Sequence, residues 1–463
     1  MSGAWEVALA ELQARLPAGR LLAGDGDALE PYGLDESDLG CFPPGAVVRA
    51  ENEEDVRIVL EVASRHRVPV VPVGARSGKS GGSLAIQGGI ALSTERMNRI
   101  LEVSGEDLVA RVEPGVILAT LQAEVEKHGL FYPPDPNSLE TCTIGGNVAE
   151  NAGGPRALKY GVTREYVLGL RAVLPTGEVI RTGHRSIKGV AGYDLTALLV
   201  GSEGTLAIVT EVMVKLLPRP RHVATALVAF ADVDAAARAV SRVLAQGVIP
   251  RCLELMDDVS LAAIARTSPG RFPAGAGALL LVETDGNDEE QVFDEIVRVA
   301  DLVAADARGE VLVARDEAQR REIWEVRRYL SVNLKAIHPL KLSEDVAVPR
   351  SKIPEMVARA KAIGAGLGLA VATYGHAGDG NLHCNVLFDT AAERPRVDQA
   401  VAAILRAAVE LGGTITGEHG VGLAKRDFLE LEQGKELVAL QRRIKAVFDP
   451  LCILNPGKIF PPA

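Results

Sequence analysis

Cysteine is scarce and scattered: Cys41, Cys142, Cys252, Cys384 and Cys452 are the only five in 463 residues, and no two form a C-x-x-C pair. An odd, dispersed set builds neither a disulfide framework nor a zinc ribbon, and it fits a reducing compartment. Long hydrophobic runs are also missing. The strongest apolar stretch, Gly275–Val282, falls far short of the ~20 residues that cross a bilayer. Residues 1–19 mix Glu, Arg and Ala, without the charged n-region and long apolar h-region of a signal peptide. Basic charge is in deficit, with 50 Lys and Arg against 61 Asp and Glu and a net charge of −11. With no basic cluster to offset that balance, nucleic acid is not an expected partner. The expected location is the cytoplasm, with peripheral membrane attachment left open.

Composition is otherwise ordinary for a folded chain, 47% hydrophobic and 24% charged, and the length predicts two or three domains. Glycine, at 47 residues, is in excess, and it concentrates at 74–89, 145–161, 201–204, 375–380 and 412–422. Val56, Val59, Leu60 and Ala63 recur at helical spacing in 54–66, followed by the β-branched run Val68–Val73, so the first glycine cluster follows a helix and a strand. Ser83–Ile86 reads as strand, and Ile117–His128 as an amphipathic helix closed by Gly129. After Leu217-Pro-Arg-Pro-Arg221 the chain alternates strand (224–230), helix (233–245), strand (251–256), strand (278–284), helix (289–306) and strand (310–314). That rhythm suits helices packed on one face of a sheet. A helix at 430–448 leads into the tail.

Val73-Gly-Ala-Arg-Ser-Gly-Lys-Ser80 is one residue short of a Walker A loop, and Gly81-Gly82 stands where a P-loop needs a helix. No GxGxxG follows the strand, which argues against a dinucleotide Rossmann site. The loop still has the physics of a pyrophosphate cradle, because residues without Cβ let successive N–H groups turn toward an anion. The second cluster comprises Pro133-Pro-Asp-Pro-Asn-Ser138, Thr143-Ile-Gly-Gly-Asn147, Asn151-Ala-Gly-Gly154 and Lys159-Tyr-Gly161. Taken with Gly201-Ser-Glu-Gly-Thr-Leu-Ala-Ile-Val-Thr210, these motifs resemble, in order over about residues 40–218, the FAD domain of the vanillyl-alcohol oxidase superfamily. The resemblance implies that Val73, Gly74, Ala75, Arg76, Ser77, Gly78, Lys79, Ser80 and Gly81 hold the FAD pyrophosphate. It implies that Ser138, Thr143, Gly145, Gly146, Asn147, Gly153, Gly154, Glu203, Gly204 and Ile208 line the rest of the cofactor. Some members of the superfamily bond FAD covalently through a His in the first loop. None lies in 73–82, His66 sits on the preceding helix, and Cys142 is a residue out of register with a second linkage point, so non-covalent FAD is expected. Arg76 and Lys79 either add charge beside the pyrophosphate or face solvent.

Tyr374-Gly-His-Ala-Gly-Asp-Gly-Asn-Leu-His383 places two histidines seven residues apart around a run of turn formers. An odd separation puts them on opposite faces of a single strand, whereas a hairpin brings them side by side. Gly417-Glu-His-Gly420 adds a carboxylate and a third imidazole. Two His, one Glu and an open position is the ligand set of a catalytic zinc-type site, and a pair of hydrogen-bonded structural histidines is the alternative that spacing leaves open. These motifs resemble the D-2-hydroxyacid dehydrogenase branch of the superfamily. The resemblance implies a divalent metal, zinc by type, on His376, His383 and Glu418, with His419 as acid/base. It implies substrate contacts from Arg327, Ser331 and Lys341, with Lys341 a residue off in spacing; Asn385, which shares a strand face with His383, is counted with them. A guanidinium fork and an ammonium suit a carboxylate substrate. Glu344 and Asp345 are expected to hold the Lys or to cap a segment.

The expected fold is therefore α+β: a two-subdomain FAD-binding domain of the PCMH type over 1–218 (core 40–218), and a ferredoxin-like antiparallel cap carrying the metal site over 219–420. The tail 421–463 returns to the FAD domain and brings Asn455 near the flavin. The expected reaction oxidises a small D-2-hydroxy acid (glycolate, D-lactate or D-2-hydroxyglutarate type) to the 2-oxo acid, with hydride passing to flavin N5. A quinone, an electron-transfer flavoprotein or an iron–sulfur subunit would accept the electrons, and a homodimer is compatible. Two other readings stand beside this one. A zinc-dependent hydrolase on the same three ligands would leave the FAD motifs unused, and a non-catalytic electron-transfer flavoprotein subunit would have no need of His419 and Arg327.

Overall fold

Asn52 starts the first long helix, Glu53–His66, by accepting the Asp55 N–H on its side-chain oxygen at 3.1 Å, and three acidic residues open the first turn. Val56, Val59, Leu60 and Ala63 are fully buried beneath it. Arg67 then turns the chain through the left-handed region into the strand Val70–Val73. The structure, a computed structural model, describes residues 2–24, 26–267 and 275–462. It divides into two units, one of Met1–Gly153, Val162–Arg219 and Glu418–Ala463, the other of Gly154–Gly161 and Pro220–Gly417.

The first unit holds a four-stranded sheet ordered Leu21–Ala23, Ala46–Arg49, Ile90–Ser93, Val70–Val73, whose last three strands are parallel. A second, antiparallel sheet of five strands runs Ile100–Ser104, Val109–Val112, Ile208–Lys215, Val167–Val173, Val179–Gly183. Leu12, Leu60, Ile90, Leu92, Met97 and Ile208 join in one core. The C-terminal tail extends the first sheet along Val70, which donates its N–H to Ile453 O at 2.8 Å and accepts Asn455 N–H at 2.7 Å. Ser83–Ile86 is not a strand. Leu84 N–H bonds back to Gly81 O, Ile86 N–H to Leu84 O and Gly88 N–H to Ala85 O, so these turns consume the donors a ladder would need. Within the second glycine cluster lies a helix, Ile144–Glu150, with the Thr143 hydroxyl accepting the Gly146 N–H at 3.3 Å. Its paired glycines lower helix propensity, and Gly145 is required because a Cβ there would collide with Pro114.

In the second unit a seven-stranded antiparallel sheet is ordered Leu312–Val313, His222–Phe230, Ala278–Gly286, Cys252–Asp257, Ala370–His376, Asn381–Phe388, Leu340–Ala347. Its first four strands stand in ferredoxin-like order, fourth, first, third, second by chain position. The sequence rhythm places helices on one face, but they cover both. Leu227, Leu281 and Ala372 share a core with helices Asp258–Thr267, Glu317–Arg328 and Leu330–Leu334. Strand residues of the opposite parity, including Val228, Leu280 and Val371, are also buried, and a Cβ on Gly364 of helix Ile353–Gly366 would strike Val371. Gly154–Gly161 joins this unit through Lys159 Nζ, which donates to Asp285 Oδ1 at 2.5 Å, and Tyr160 Oη, which donates to Oδ2 at 2.7 Å. Leu281 is fully buried in that sheet, so Leu281→Ala is expected to destabilise the second unit by about 2–5 kcal/mol. Urea denaturation checks this, with a fall in midpoint and an unchanged m-value.

Candidate active site

A cavity of ≈370 Å³ opens in the first unit, lined by Val73–Lys79, Gly82, Ser138, Thr143, Gly145–Asn147, Glu150, Gly153, Glu203, Gly204, Ile208, Glu418 and His419, among others. Most residues that the superfamily resemblance assigns to the cofactor therefore meet at one cavity. Ser80 and Gly81 lie behind the lining, and Gly154 belongs to the other unit. Asn455, 1% exposed, does not line the cavity either. Its side-chain amide donates to Gly82 O at 3.0 Å and Glu203 O at 2.8 Å, tying together two segments that do. The open question over the two basic residues divides. Arg76 is half-buried, at positive φ, with its guanidinium 4.8 Å over the Tyr32 ring, while Lys79 is exposed. Arg76 Nη1, Asn147 Nδ2 and Glu150 Oε2 are buried without a hydrogen-bond partner. Buried polar atoms are normally paired, and a cavity with the Arg76 and Asn147 donors and a glycine-rich wall fits a polar, phosphate-bearing cofactor.

A buried charge cluster borders this cavity. Glu203, 6% exposed, accepts Val421 N–H at 2.8 Å and Gly422 N–H at 2.6 Å on its two carboxylate oxygens. Burial raises the Glu203 carboxyl against the pull of those two donors, and Glu150 is raised well above its ordinary range by burial and then by Glu203 and Asp35. Lys458 donates to Leu84 O at 2.7 Å, and burial lowers its ammonium to about 8 despite nearby Asp35, Glu203 and Glu150.

The second unit carries a polar patch on one face of its sheet. Residues 370–376 and 381–388 form a hairpin through Ala377–Gly380, with Tyr374 opposite His383 and His376 opposite Asn381. That register puts both imidazoles on the same face, with ring centroids 5.6 Å apart and planes at 85°. Glu254, opposite His376 on the neighbouring strand, bonds His376 Nδ1 at 2.5 Å and accepts Arg327 Nε at 2.7 Å. With a carboxylate at Nδ1 the ring proton sits there, leaving Nε2 as the lone-pair nitrogen, the arrangement that orients a metal-binding imidazole. Burial alone would raise the Glu254 carboxyl, but His376 and Arg327 outweigh it and hold it at about 2. Arg327, at the end of helix Glu317–Arg328, is buried over the Tyr374 ring at 4.8 Å, while Arg328 is exposed. Lys341 donates to Ser331 Oγ at 2.7 Å and Asn385 Oδ1 at 3.3 Å. Asp345 does not hold Lys341, because four residues along a strand is roughly 13 Å at ~3.3 Å each. It accepts from Asn381 Nδ2 at 2.5 Å, Thr416 Oγ1 at 3.1 Å and Gly417 N–H at 2.9 Å.

Sequence reasoning missed Glu254, whose signal is a lone carboxylate in the apolar run Cys252-Leu-Glu-Leu-Met256, and Glu150, masked by the glycines around it.

Two family models match this chain, one described as an FAD binding domain over residues 44–183 and one as FAD linked oxidases, C-terminal domain, over residues 219–459. The chain is 45% identical to a glycolate oxidase subunit GlcD of Bacillus subtilis, over 93% of this chain and 92% of that one. It is 37% identical to a D-lactate dehydrogenase of Anaerostipes hadrus, over 95% and 94%. Its fold matches that of p-cresol methylhydroxylase with a TM-score of 0.80 at 19% identity, covering 99% of this chain and 97% of that one. The fold is thus α+β with a PCMH-type FAD-binding domain, and FAD is its cofactor. No helix among the described residues is long and apolar enough to cross a membrane.

Because Glu254 is 0% exposed and serves both His376 and Arg327, Glu254→Ala is expected to cost about 3–5 kcal/mol by stranding a buried guanidinium. In a double-mutant cycle on urea stability, Glu254→Met with Arg327→Met should cost clearly less than the sum of the two single changes.

Proposed function

Given that the chain belongs to the FAD-linked oxidase family, we propose that it oxidises a small D-2-hydroxy acid to the 2-oxo acid, with glycolate, D-lactate and D-2-hydroxyglutarate as candidate substrates. The observation that carries this reading is the polar face of Arg327, Lys341, Ser331, Asn385, His376 and His383, cationic and imidazole-bearing inside an otherwise apolar core. Glycolate and D-lactate, named for the two relatives, share the α-hydroxy carboxylate unit such a face suits.

FAD supplies the acceptor for the two electrons and the hydrogen leaving C2. A divalent metal of the zinc type, held by His376, His383 and Glu418, would supply the Lewis acidity that lowers the pKa of the substrate hydroxyl. Supporting that ligand set, Glu254 fixes the tautomer of His376, and Glu418 directly follows Gly417, whose N–H is bonded to Asp345, the register partner of His383. The remaining work falls to this chain's own groups. The Arg327 guanidinium, with Nε already given to Glu254, offers its outer N–H groups to the substrate carboxylate, and the Lys341 ammonium, aimed by Ser331 and Asn385, adds a second positive contact. His419 accepts the hydroxyl proton on a ring nitrogen, since a neutral imidazole is a base near neutral pH. FAD is held non-covalently: residues 73–82 contain no His, and burial raises the Cys142 thiol, which disfavours the nucleophilic thiolate. Electrons then pass to a quinone, an electron-transfer flavoprotein or an iron–sulfur partner, in the cytoplasm or at a membrane surface, from a monomer or a homodimer.

Anaerobic mixing with D- and L-2-hydroxy acids is expected to bleach the flavin with the D series, or with achiral glycolate, while simple alcohols leave it yellow; equal bleaching by alcohols contradicts the reading. Chelation is expected to abolish bleaching with FAD still bound, and added divalent metal to restore it. His419→Ala is expected to keep its metal and slow reduction by about 10²–10⁴-fold; if it loses metal instead, His419 is a ligand and the assignment to Glu418 fails. Acid precipitation is expected to leave the yellow cofactor in the supernatant.

A further inference from the structure

Residues 417–420 read Gly-Glu-His-Gly, and the backbone beside each end of this segment is bonded to a buried carboxylate. In the second unit, Asp345 is 0% exposed; its Oδ2 accepts Gly417 N–H at 2.9 Å and Thr416 Oγ1 at 3.1 Å, and its Oδ1 accepts the Asn381 amide at 2.5 Å. A Cβ on Gly417 would collide with Asn381 Nδ2 and crowd Asp345 Oδ1. In the first unit, Glu203 takes Val421 N–H at 2.8 Å and Gly422 N–H at 2.6 Å. A Cβ on Gly420, at φ +80, would collide with Glu150 Oε2 and press on the Glu203 carboxylate. Glycine at both positions thus fits polar side chains packed against the backbone, the Asn381 amide with Asp345 at 417 and the Glu150 and Glu203 carboxylates at 420.

We propose that Asp345 and Glu203 are positioning residues for the Glu418–His419 dipeptide, Asp345 setting the Glu418 end for metal binding and Glu203 setting the His419 end for proton transfer. The assignment rests on the function proposed above. Hydrogen bonds from N–H to carboxylate are the stronger, charge-assisted kind, and both anchors are themselves held. Asp345 sits in the strand paired with His383. Glu203 has its N–H on Ala149 O at 2.8 Å and its C=O on the Asn455 amide at 2.8 Å. The superfamily resemblance assigns Glu203 to the cofactor; here its carboxylate is spent on the two N–H groups that follow His419.

Asp345→Asn and Glu203→Gln conserve volume; in Gln the NH₂ must oppose the Val421 or Gly422 N–H, and in Asn it opposes either the Gly417 N–H or the Asn381 amide, so each removes one anchoring bond. With FAD-replete, metal-stripped protein, Asp345→Asn is expected to weaken Zn²⁺ binding by about 10–100-fold in calorimetric titration, the range for groups that orient metal ligands, with FAD content unchanged. Glu203→Gln is expected to leave Zn²⁺ affinity, FAD content and KM near wild type while slowing flavin reduction by about 10–100-fold, the cost of misplacing a reacting group by about 1 Å. Glu203→Ala should be slower still, so that Gln gives partial rescue, and Gly420→Ala, which pushes on the same anchor from the strap side, should share the Glu203 signature if Glu203→Ala folds poorly. Wild-type Zn²⁺ affinity in Asp345→Asn overturns the first half. Loss of FAD, or wild-type reduction, in Glu203→Gln overturns the second. Controls separate these failures from failure of the function itself: an active His419→Ala, or a His376→Ala that still binds Zn²⁺, contradicts the base or ligand assignment, whereas normal controls beside silent anchors contradict only the positioning.

Discussion

A carboxylate buried away from water persists only when donors surround it, and for Asp345 and Glu203 those donors include backbone N–H groups at the two ends of the segment that carries Glu418 and His419. Asp345 and Glu203 each trade their desolvation cost for a fixed stretch of main chain. That exchange explains why the segment is bracketed by glycines. It also explains how Glu418 and His419, the side chains proposed for metal binding and proton transfer, can sit on a loop, ordinarily the most mobile part of a protein.

The two units divide the chemistry. The first supplies a cavity whose unpaired polar atoms and glycine-rich wall suit FAD. The second supplies a sheet face on which Glu254 couples a metal-type imidazole to the arginine proposed for the carboxylate. That coupling has an electrostatic logic. Glu254 bonds the Arg327 guanidinium through Nε and the His376 ring through Nδ1, so one acidic side chain would serve both the proposed substrate contact and the proposed metal ligand. Lys341, with Ser331 and Asn385, repeats the device with neutral partners.

Much of this was legible in sequence because it was written in local chemistry. Val73–Gly82, Thr143–Gly154 and Gly201–Thr210 carry glycines that a tight approach demands, and the turn formers between Tyr374 and His383 force the hairpin that brings the imidazoles together. What was illegible depended on distant partners. Ser83–Ile86 has strand-like residues, but turns onto Gly81, Leu84 and Ala85 take its donors. Ile144–Glu150 has poor helix propensity because Pro114 leaves no room for a side chain at Gly145, and it is helical behind a Thr143 cap. Gly154–Gly161 belongs with residues beyond 220 through Asp285, a partner 125 positions away from Tyr160. Glu254 resembles a stray charge in an apolar strand until His376 and Arg327 are placed beside it.

In the proposed site the metal takes two imidazoles and the carboxylate of Glu418 while the adjacent His419 remains a base. X-ray absorption at the zinc edge of the metal-loaded protein reads the ligand shell directly. Two imidazole nitrogens at about 2.0–2.1 Å with carboxylate or water oxygen at about 2.0–2.2 Å are expected, and no sulfur near about 2.3 Å. A shell of three imidazoles would place His419 on the metal and contradict the division between ligand and base.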